Sequence, residues 1–550
     1  AVRNVGFVDD SKYNHRIVRV GDTTLGTFSP FSLEDTYWCE FYNTSSDSAG
    51  GCHHKILPAS FLNDLTIANK STSTKTIEAW VYPTSIRTNA NQYYAMAWFC
   101  KGNIYFDCGL WSTSSTTQGK FVAYHNDVGQ RNLESSSTFT VNQWYHVAVV
   151  IASETLKIYV NGVLEASGTW YGLRSTGIGE VSVIGGTASN NDWNGYISNL
   201  RISSTARYTS AFTPSTLPFT SDSDTLLLTN QSNRIVDNSS SANTFTFQNT
   251  PKVLPFSPFA PSRSYSKDAV GGSAYFDGTG DYIFADGGST AGSSFKVPTG
   301  EQFSTEFWFY KTSATNNVDI PISAEVLDEF QFAINADAKL SLNFFGSTLT
   351  SSPTFPLASN PPYHHCWNHF VVTRDSSDDK IRTFINGNLV SITGAITTDI
   401  TFQDLVIGHQ GKGHDHPVQG FIASVRHNVG DVPSAYTTTE TSTGTQVFTT
   451  PTAPVTADDN TVLLLNFNNA GIIDHTMKNN LESESNTRVS GQQIKFGTGS
   501  IYFDGTDDKL VIPHQEYQQL GTGEFTVELF VYFTSTDQRQ GFFGNDQGWY

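Results

Sequence analysis

The feature that most constrains the fold of this chain is a long internal repeat. The stretch GSAYFDGTGDYI at residues 272–283 returns as GSIYFDGTDDKL at residues 499–510, and a less similar copy begins at Cys39. In each copy a short alternating strand precedes a turn rich in Gly, Asn, Thr and Asp, which suit left-handed and side-chain-capped turns. The pattern predicts a tandem array.

The repeat is as long as a domain. Its period of roughly 230 residues far exceeds the 20–50 residues of a solenoid unit. We predict three units, residues 1–220, 221–455 and 456–550. The first lacks an opening Leu-Leu-Leu strand and the third stops after a strand at Phe525–Phe533, so the parent protein is expected to continue in both directions. The Thr-, Pro- and Ser-rich stretches Thr213–Ser223 and Thr437–Ala457 are predicted linkers.

Each unit is predicted to be an all-β antiparallel sandwich. Aromatic residues make up 13% of the chain, and polar turns separate many short apolar runs. An immunoglobulin domain needs only about 100 residues, so a larger two-sheet jelly roll fits the period better. Cys39 is interpreted as a small buried hydrophobe in its strand, and Cys100 could meet Cys108 across a hairpin.

Four ordered motifs carry a family resemblance: GSAYFDGTGDY, TIEAWVYP, WYHVAVV and IYVNG. Together they resemble the laminin-G-like branch of the concanavalin A-like lectin/glucanase sandwiches. The resemblance implies a concanavalin A-like jelly roll in each unit, and calcium at a loop rim. It does not choose a function, because that fold serves lectins, glycanases and spacers.

The composition narrows the expected partners. A net charge of −19 argues against binding nucleic acid through its phosphates, and no apolar run is long enough to insert into a membrane. Chains with such tandem motifs, few Lys and no disulfide framework are similar to fibre, decoration and adhesin proteins of tailed bacteriophages, particularly marine ones. The resemblance implies a virion or other extracellular location, with a host-surface glycan and other fibre subunits as partners. A homo-oligomer is also open. The alternative functions are a secreted bacterial surface adhesin and the binding part of a polysaccharide-degrading enzyme.

We expect no catalytic activity. Glucanases of this superfamily carry a Glu-x-Asp-x-Glu or Glu-x-Asp-x-x-Glu array on one strand, so that both carboxyl groups reach one glycosidic bond. The nearest approach in this chain, residues 325–329, has the wrong spacing.

Metal binding is an open expectation, and calcium is the possible cofactor. Carboxylates in the repeated turns offer the oxygen ligands that calcium takes, although they could instead cap their own turns. These are Asp277, Asp281, Asp504 and Asp507. His414 and His416 would project together from an extended segment and suit zinc, nickel or iron, or belong to an exposed loop.

A glycan site would need flat aromatic rings beside amide or carboxylate groups, because sugars have apolar faces and hydroxyl edges. Loop-like segments of the first unit offer such residues, which could equally pack under their loops. They are Trp111, Trp170, Tyr171, Asn191, Asp192 and Trp193.

A Glu and a His recur at matched strand positions, which could suggest a base and its orienting partner. They are Glu78 and His146 in the first unit, and Glu306 and His369 in the second. Alternation places them on apolar faces, where a carboxylate needs a partner. We predict that each Glu contacts the His, or the recurring Arg201 and Arg426, and holds strand register.

Overall fold

The computed structural model confirms an all-β fold. It describes residues 7–21, 23–32, 37–42, 53–57, 64–86, 92–101, 104–112, 118–126, 131–173, 181–187, 191–248, 251–259, 266–288, 293–313, 318–325, 330–334, 340–344, 347–350, 365–375, 377–400, 403–412, 415–468, 472, 474, 479, 481–484, 487–497, 499–506, 508–512, 524–536 and 540–544. The helical elements among them are α1 (Lys267–Val270) and a 3-10 turn at Ile67–Asn69. Neither is long and apolar enough to cross a membrane.

The strands follow the predicted period-2 patterns. Those before residue 230 are β1 (Ile17–Val20), β2 (Thr24–Gly26), β3 (Cys39–Tyr42), β4 (His53–Leu57), β5 (Thr74–Pro83), β6 (Gln92–Lys101), β7 (Ile104–Ser112), β8 (Lys120–Asn126), β9 (Arg131–Thr138), β10 (Tyr145–Ala152), β11 (Thr155–Val160), β12 (Val163–Thr169), β13 (Val181–Ile184), β14 (Gly195–Ser203) and β15 (Thr225–Thr229). The next are β16 (Thr244–Gln248), β17 (Lys252–Leu254), β18 (Ser273–Asp277), β19 (Tyr282–Asp286), β20 (Phe303–Lys311), β21 (Asp319–Ala324), β22 (Phe330–Ile334), β23 (Leu340–Phe344), β24 (Ser347–Thr350), β25 (Trp367–Arg374), β26 (Lys380–Ile385), β27 (Asn388–Ala395), β28 (Asp404–Ile407), β29 (Gln419–Val429) and β30 (Thr461–Leu465). The last are β31 (Glu482–Glu484), β32 (Arg488–Ser490), β33 (Ser500–Tyr502) and β34 (Lys509–Val511).

Two sandwiches make up the compact unit of residues 1–480. Sandwich 1 packs the sheet β12-β11-β10-β5-β14-β3-β17, with β15 beside β14, on the sheet β16-β4-β13-β6-β7-β8-β9. Sandwich 2 packs the sheet β2-β18-β29-β20-β25-β26-β27, with β30 beside β29, on the sheet β1-β19-β28-β21-β22-β23-β24. We call the first of each pair the eight-stranded sheet and the second the seven-stranded sheet.

Alternation along the strands explains both cores. In β5, Ile77, Ala79 and Val81 point into the core of sandwich 1, so Glu78 and Trp80 lie on the opposite face of the eight-stranded sheet. In sandwich 2 the corresponding strand, β20, contributes Phe307 and Phe309 to its own core. The outer faces of the two eight-stranded sheets therefore hold buried polar groups.

The predicted linkers belong to longer segments that pack on the sandwiches. After β14 the chain crosses the outer face of the eight-stranded sheet, where Tyr208 and Phe212 cover Ala148 and Tyr159. After β29, Tyr436 and Phe448 similarly cover Val371, Phe384 and Leu389. We call residues 204–223 and 430–457 the straps. Most residues of the predicted linkers Thr213–Ser223 and Thr437–Ala457 are exposed, but each stretch is the end of a strap and carries a buried aromatic, Phe219 or Phe448.

The sheets do not follow the boundaries expected at residues 220 and 455. Strands β15, β16 and β17, expected at the start of the second unit, pair with β14, β4 and β3 of sandwich 1. Strands β1 and β2, expected in the first unit, pair with β19 and β18 of sandwich 2. All of these pairings are antiparallel. As a result, strands expected in one unit complete the sheets of the other.

The register of β3 differs by one residue from the sequence alignment. Gly195 lies opposite Tyr42 in sandwich 1, and Gly420 lies opposite Phe276 in sandwich 2. Tyr42 therefore takes the core position of Phe276, and Glu40 takes that of Ala274. Cys39 is buried as predicted, but on the other face of the strand.

The register of the β6–β7 hairpin does not place Cys100 and Cys108 opposite each other. Within the β6–β7 pair, Cys100 lies opposite Tyr105, and Cys108 lies opposite Ala97. Cys108 is a buried free thiol. The suggested Cys100–Cys108 disulfide was therefore wrong in register.

Residues 481–550 form the second compact unit. Its described strands make two small sheets, β31 with β34 and β32 with β33. The strand expected at Phe525–Phe533 is not formed, and its large side chains are exposed, for example Phe530 at 64%. Among the described residues of this unit, no neighbouring strand takes the place that β25 and β29 occupy beside β20.

Candidate functional site

Glu78 stands at the centre of a closed polar cluster on the outer face of sandwich 1. Nε and Nη2 of Arg201 donate hydrogen bonds to its Oε1 at 2.9 and 2.7 Å. His146 Nε2 lies 3.2 Å from Oε2, and the Tyr208 hydroxyl donates to the same oxygen at 2.6 Å. The four side chains come from β5, β14, β10 and the strap. The carboxylate is saturated and leaves no oxygen for a substrate.

Sandwich 2 repeats this cluster around Glu306. Arg426 Nε lies 2.7 Å from Oε1, His369 Nε2 3.1 Å from Oε2, and the Tyr436 hydroxyl 2.6 Å from Oε2. The structure thus brings together the predicted Glu, His and Arg in both sandwiches. It adds a strap Tyr, which in each sandwich lies shortly before the stretch that the sequence predicted to be a linker.

Electrostatics favour an ionised Glu in each cluster. Burial opposes ionisation of Glu306, but the His369 hydrogen bond and the Arg426 charge outweigh it and lower the pKa of Glu306. Burial lowers the pKa of His369, which favours a neutral ring that donates through Nε2. The pKa of Glu78 is lowered by the same combination, with burial again opposed by the hydrogen bond of His146 and the charge of Arg201. The arrangement is a structural ion pair rather than a proton-transfer site.

A second set of side chains lies on the outer face of the seven-stranded sheet of sandwich 1. Strand pairing places Val183, Trp98, Asp107 and Tyr124 side by side across β13, β6, β7 and β8. Their neighbours in sequence, such as Phe99 and Phe106, point into the core. We call Trp98, Asp107 and Tyr124, with the adjacent Tyr105 and Trp111, the aromatic row.

The rings of the aromatic row contact one another. The Tyr124 ring lies 4.8 Å from Trp111 and 5.7 Å from Tyr105, centroid to centroid. Trp98 lies 5.8 Å from Tyr105. Trp98, Asp107 and Tyr124 are buried, whereas Tyr105 and Trp111 are half-buried and expose ring surface. Burial first, then Tyr105 and the Asp107 charge, raise the pKa of the Tyr124 hydroxyl, which stays protonated.

The corresponding row of sandwich 2 is polar. Pairing places Val406, Ser323, Gln331 and Asn343 across the same four strands. A loop closes over this row, since the Ser323 hydroxyl donates to the carbonyl oxygen of His409 and accepts from the N–H of Gly411, both at 2.9 Å. The two sandwiches therefore differ most on this face.

The predicted sugar-binding residues do not form one group. Trp170 and Trp193 are fully buried in the core of sandwich 1, so neither offers a ring face to a sugar and their assignment was wrong. Asp192 is also buried, with its Oδ1 2.9 Å from His53 Nδ1. Asn191 is half-buried and Tyr171 is exposed. Of the six, only Trp111 belongs to the aromatic row.

The predicted metal ligands are placed in turns. The backbone N–H of Thr279 donates to Asp277 Oδ1 at 2.6 Å, and that of Thr506 donates to Asp504 Oδ1 at 2.8 Å. Asp281 is buried and accepts from the Asp277 N–H at 3.4 Å. These are the turn-capping contacts of the alternative interpretation.

The histidine assignment is only partly visible. His416 is exposed, while Asp507 and His414 lie outside the described residues. Within the described part of the chain, no group of three or more His, Cys, Asp or Glu side chains could hold a metal ion.

Sequence reasoning missed Trp98, Tyr105, Asp107 and Tyr124. Strand β7 carries large side chains on both faces, and the alternation of Tyr105, Asp107 and Trp111 with core residues was the available signal. It also missed Glu40, which replaces the core Ala274. Burial raises the pKa of Glu40 to about 8, despite the hydrogen bond that the Tyr42 hydroxyl donates to it.

Comparison with solved structures gives distant similarities. Domains LG4-5 of the mouse laminin α1 chain match with 12% identity and a TM-score of 0.23, covering 74% of this chain and 89% of that one. A putative carbohydrate binding protein from Bacteroides ovatus matches with 16% identity and a TM-score of 0.28, covering 42% of this chain. Our chain spans 63% of that protein. Domain 4 of an extracellular arabinanase from Geobacillus stearothermophilus, solved with arabinotriose, has 20% identity and a TM-score of 0.21, covering 25% of this chain and 63% of that one.

The family comparison is more extensive. No curated protein matches this chain. The profile described as concanavalin A-like lectin/glucanases superfamily, of the laminin-G type, matches residues 61–210 and 277–427, more than half of the chain. The two matches fall in sandwich 1 and sandwich 2. The chain therefore belongs to the laminin-G-like family of the concanavalin A-like lectin/glucanase superfamily.

Proposed function

We propose that this chain is a non-catalytic, carbohydrate-binding protein of an extracellular assembly, and that sandwich 1 holds the glycan at the aromatic row. The observation that carries the proposal is the difference between the two seven-stranded sheets. The row of sandwich 1 is aromatic and includes the half-buried rings of Tyr105 and Trp111, whereas the row of sandwich 2 is polar and is contacted by a loop through Ser323.

The chemistry of the aromatic row suits a sugar. Tyr105 and Trp111 supply flat apolar surface for the C–H face of a pyranose, and the two rings lie on either side of Tyr124. Asp107 lies opposite Tyr124 in the strand pairing and is buried, so it belongs to the floor of the row beneath the two half-buried rings. Two half-buried rings bind a sugar weakly, so useful adhesion would come from several sandwiches acting together.

The closed clusters support a binding role over catalysis. A glycosidase needs two carboxyl groups that reach one bond from an open cleft. Glu78 and Glu306 are buried beneath the straps, and each is already bound to Arg, His and Tyr. Their geometry supports a role in stabilising the sandwich and its strand register.

Within this function we favour a fibre or decoration protein of a tailed phage that binds host-surface carbohydrate beside other virion subunits. The buried free thiols of Cys39, Cys108 and Cys366 suit assembly in a reducing cytoplasm before exposure to the medium. A secreted bacterial adhesin is the second candidate. Immunogold labelling of purified phage particles with an antibody against this chain would distinguish the two, because an adhesin would label the bacterial envelope instead.

A glycan array probed with the full chain tests the site. Trp111→Ala should weaken binding to the best glycan by at least about tenfold, or about 1.4 kcal/mol. Tyr171→Ala removes an exposed ring of the same sandwich outside the row and serves as the matched control. If Tyr171→Ala abolishes binding and Trp111→Ala does not, the site is at the loop rim. Release of reducing sugar from the same glycan would contradict the non-catalytic assignment.

A further inference from the structure

Two segments of the chain exchange places between the sandwiches. Residues 7–31, which lead directly into sandwich 1, dock on sandwich 2 through β1 and β2. Residues 235–259, which lead directly into sandwich 2, dock on sandwich 1 through β16 and β17. We call these the donor segments. Each donor segment contributes two strands, one to each of the two sheets of the sandwich that receives it.

The donor segments make equivalent contacts. The N–H of Leu464 donates to Asp9 Oδ1 in sandwich 2, and the N–H of Leu228 donates to Asp237 Oδ1 in sandwich 1, both at 3.0 Å. The next hydrogen bonds also match, since the N–H of Asp10 donates to Leu464 O and that of Asn238 donates to Leu228 O.

The aromatic ends of the donor segments match as well. Phe28 packs on Tyr310, Trp367 and Phe421 of sandwich 2. Phe256 packs on the corresponding rings of sandwich 1, which are Tyr82, Trp144 and Tyr196. Phe31 and Phe259 lie 5.7 and 5.8 Å from the equivalent Trp308 and Trp80. We call the strand edges and rings that contact a donor segment the receiving surface; in sandwich 2 these are β18, β19, Tyr310, Trp367 and Phe421. The two receiving surfaces make equivalent contacts, so these contacts do not distinguish the two donors.

The third repeat pairs differently. There β32 pairs with β33 and β31 with β34, so the donor strands stay with the repeat that follows them. Arg488 lies opposite Tyr502, and Thr24 lies opposite Tyr275 at the matching position of sandwich 2. The same strand pair thus forms with a donor from its own repeat or from another one.

We propose that the receiving surface of sandwich 2 also accepts the donor segment Phe7–Phe31 of a second copy of this chain, so that copies link by segment exchange. An empty surface would leave the edges of β19 and β18 without backbone partners, which sheet proteins avoid. A donor from a second chain restores the same hydrogen bonds and ring contacts. Whether the donor comes from the same chain or from a second chain then depends on the effective concentration of each donor. For the donor of the same chain, this concentration depends on the length of the connection at residues 32–38.

Cysteine trapping in the full chain tests this proposal. Val18 and Phe284 lie directly opposite each other in the β1–β19 pair. The double variant V18C/F284C is refolded and oxidised as a mixture of tagged and untagged chains, at protein concentrations that differ a hundredfold. We expect cross-links within one chain at low concentration and a rising share of tagged–untagged dimers at high concentration. V18C and F284C alone measure the background from the natural thiols.

Two results would overturn the proposal. One is an intrachain cross-link at every concentration with no tagged–untagged dimer above background. The other is a folded double variant in which positions 18 and 284 form no cross-link, which would mean that β1 is not on β19. Because the double variant could fail to fold, the parent chain is also refolded as a mixture of ¹⁴N and ¹⁵N copies. Native mass spectrometry should then show mixed-mass dimers, and monomers alone would equally reject exchange.

Discussion

Sandwich 1 and sandwich 2 keep the same buried polar cluster but differ on the outer face of the seven-stranded sheet. Glu, His, Arg and a strap Tyr recur with hydrogen bonds that agree within a few tenths of an ångström. Trp98, Asp107 and Tyr124 correspond in the pairing to Ser323, Gln331 and Asn343. The comparison teaches that the buried cluster beneath the strap is common to both sandwiches, whereas the side chains on the outer face of the seven-stranded sheet differ between them.

The sandwiches differ at one core position too. Glu40 of sandwich 1 stands where sandwich 2 has Ala274, beside the ring that fills the core. The two rings are equivalent, because a Cβ on Gly185 would lie 2.0 Å from Tyr42 and a Cβ on Gly408 would lie 2.3 Å from Phe276. At this position sandwich 1 therefore carries a buried carboxyl group, where sandwich 2 has the methyl group of Ala274.

The largest effect should come from breaking the shared clusters. Arg201→Ala or Arg426→Ala leaves a buried carboxylate without its cation, and should lower the free energy of unfolding by about 3–5 kcal/mol. Urea denaturation followed by tryptophan fluorescence measures this. Lys70→Ala removes the cation of the exposed pair with Glu154 and should cost less than about 1 kcal/mol. Equal effects of Lys70→Ala and Arg426→Ala would contradict the structural role of the cluster.

The clusters also predict acid sensitivity. The pKa of Glu306 and that of Glu78 are lowered in the folded state, so their stabilisation is present above the unfolded value of 4.5 and is lost as pH falls further. The acid limb of a stability–pH curve should flatten in Glu306→Gln relative to the parent chain.

Glu40 should act in the opposite direction and only in sandwich 1. Its folded pKa of about 8 exceeds the unfolded value of 4.5. Ionisation of Glu40 therefore disfavours the folded state. The free energy of unfolding is highest below pH 4.5 and declines as pH rises to about 8, by an amount on the order of a few kcal/mol. Glu40→Gln should therefore stabilise the chain at about pH 8 and change little at about pH 4. An equal gain at both pH values would show a packing effect instead.

Converting the aromatic row should remove the glycan binding that we propose for sandwich 1. The double variant D107Q/Y124N gives sandwich 1 two residues of the sandwich 2 row and should lower glycan affinity at least about tenfold, or about 1.4 kcal/mol. Isothermal titration calorimetry with the best array ligand measures it. Gln331→Ala in sandwich 2 is the control and should leave affinity unchanged. Loss of binding in the control alone would move the site to sandwich 2.

The smallest effect concerns the turn carboxylates. Asp277→Ala removes the acceptor for Thr279 and should cost about 0.5–1.5 kcal/mol, the usual value of one hydrogen bond. Calcium or a chelator should not shift the melting temperature of the parent chain. A calcium-dependent rise that Asp277→Ala abolishes would show that the turn binds metal.

The repeat and the alternation within strands were enough to predict the sandwiches and the contacts of Glu78 with His146 and Arg201. The exchange of donor segments could not be predicted, because Ser29-Pro-Phe31 and Ser257-Pro-Phe259 are the same short motif and fit either sandwich. Trp170 and Trp193 lie in turn-rich stretches that resemble exposed loops, although both rings complete the core. The straps were missed since their Thr and Pro content outweighs a few anchoring aromatics.

The crossed donor segments also determine how the chain would carry tension. The ring of Phe7 lies 6.2 Å from that of Phe467, and the Asp10 N–H donates to Leu464 O at 2.8 Å. The chain thus enters and leaves the pair of sandwiches at neighbouring points. A pulling force applied at residues 7 and 467 therefore loads this short contact first, and the rest of the two sandwiches bears little of the force until the contact breaks.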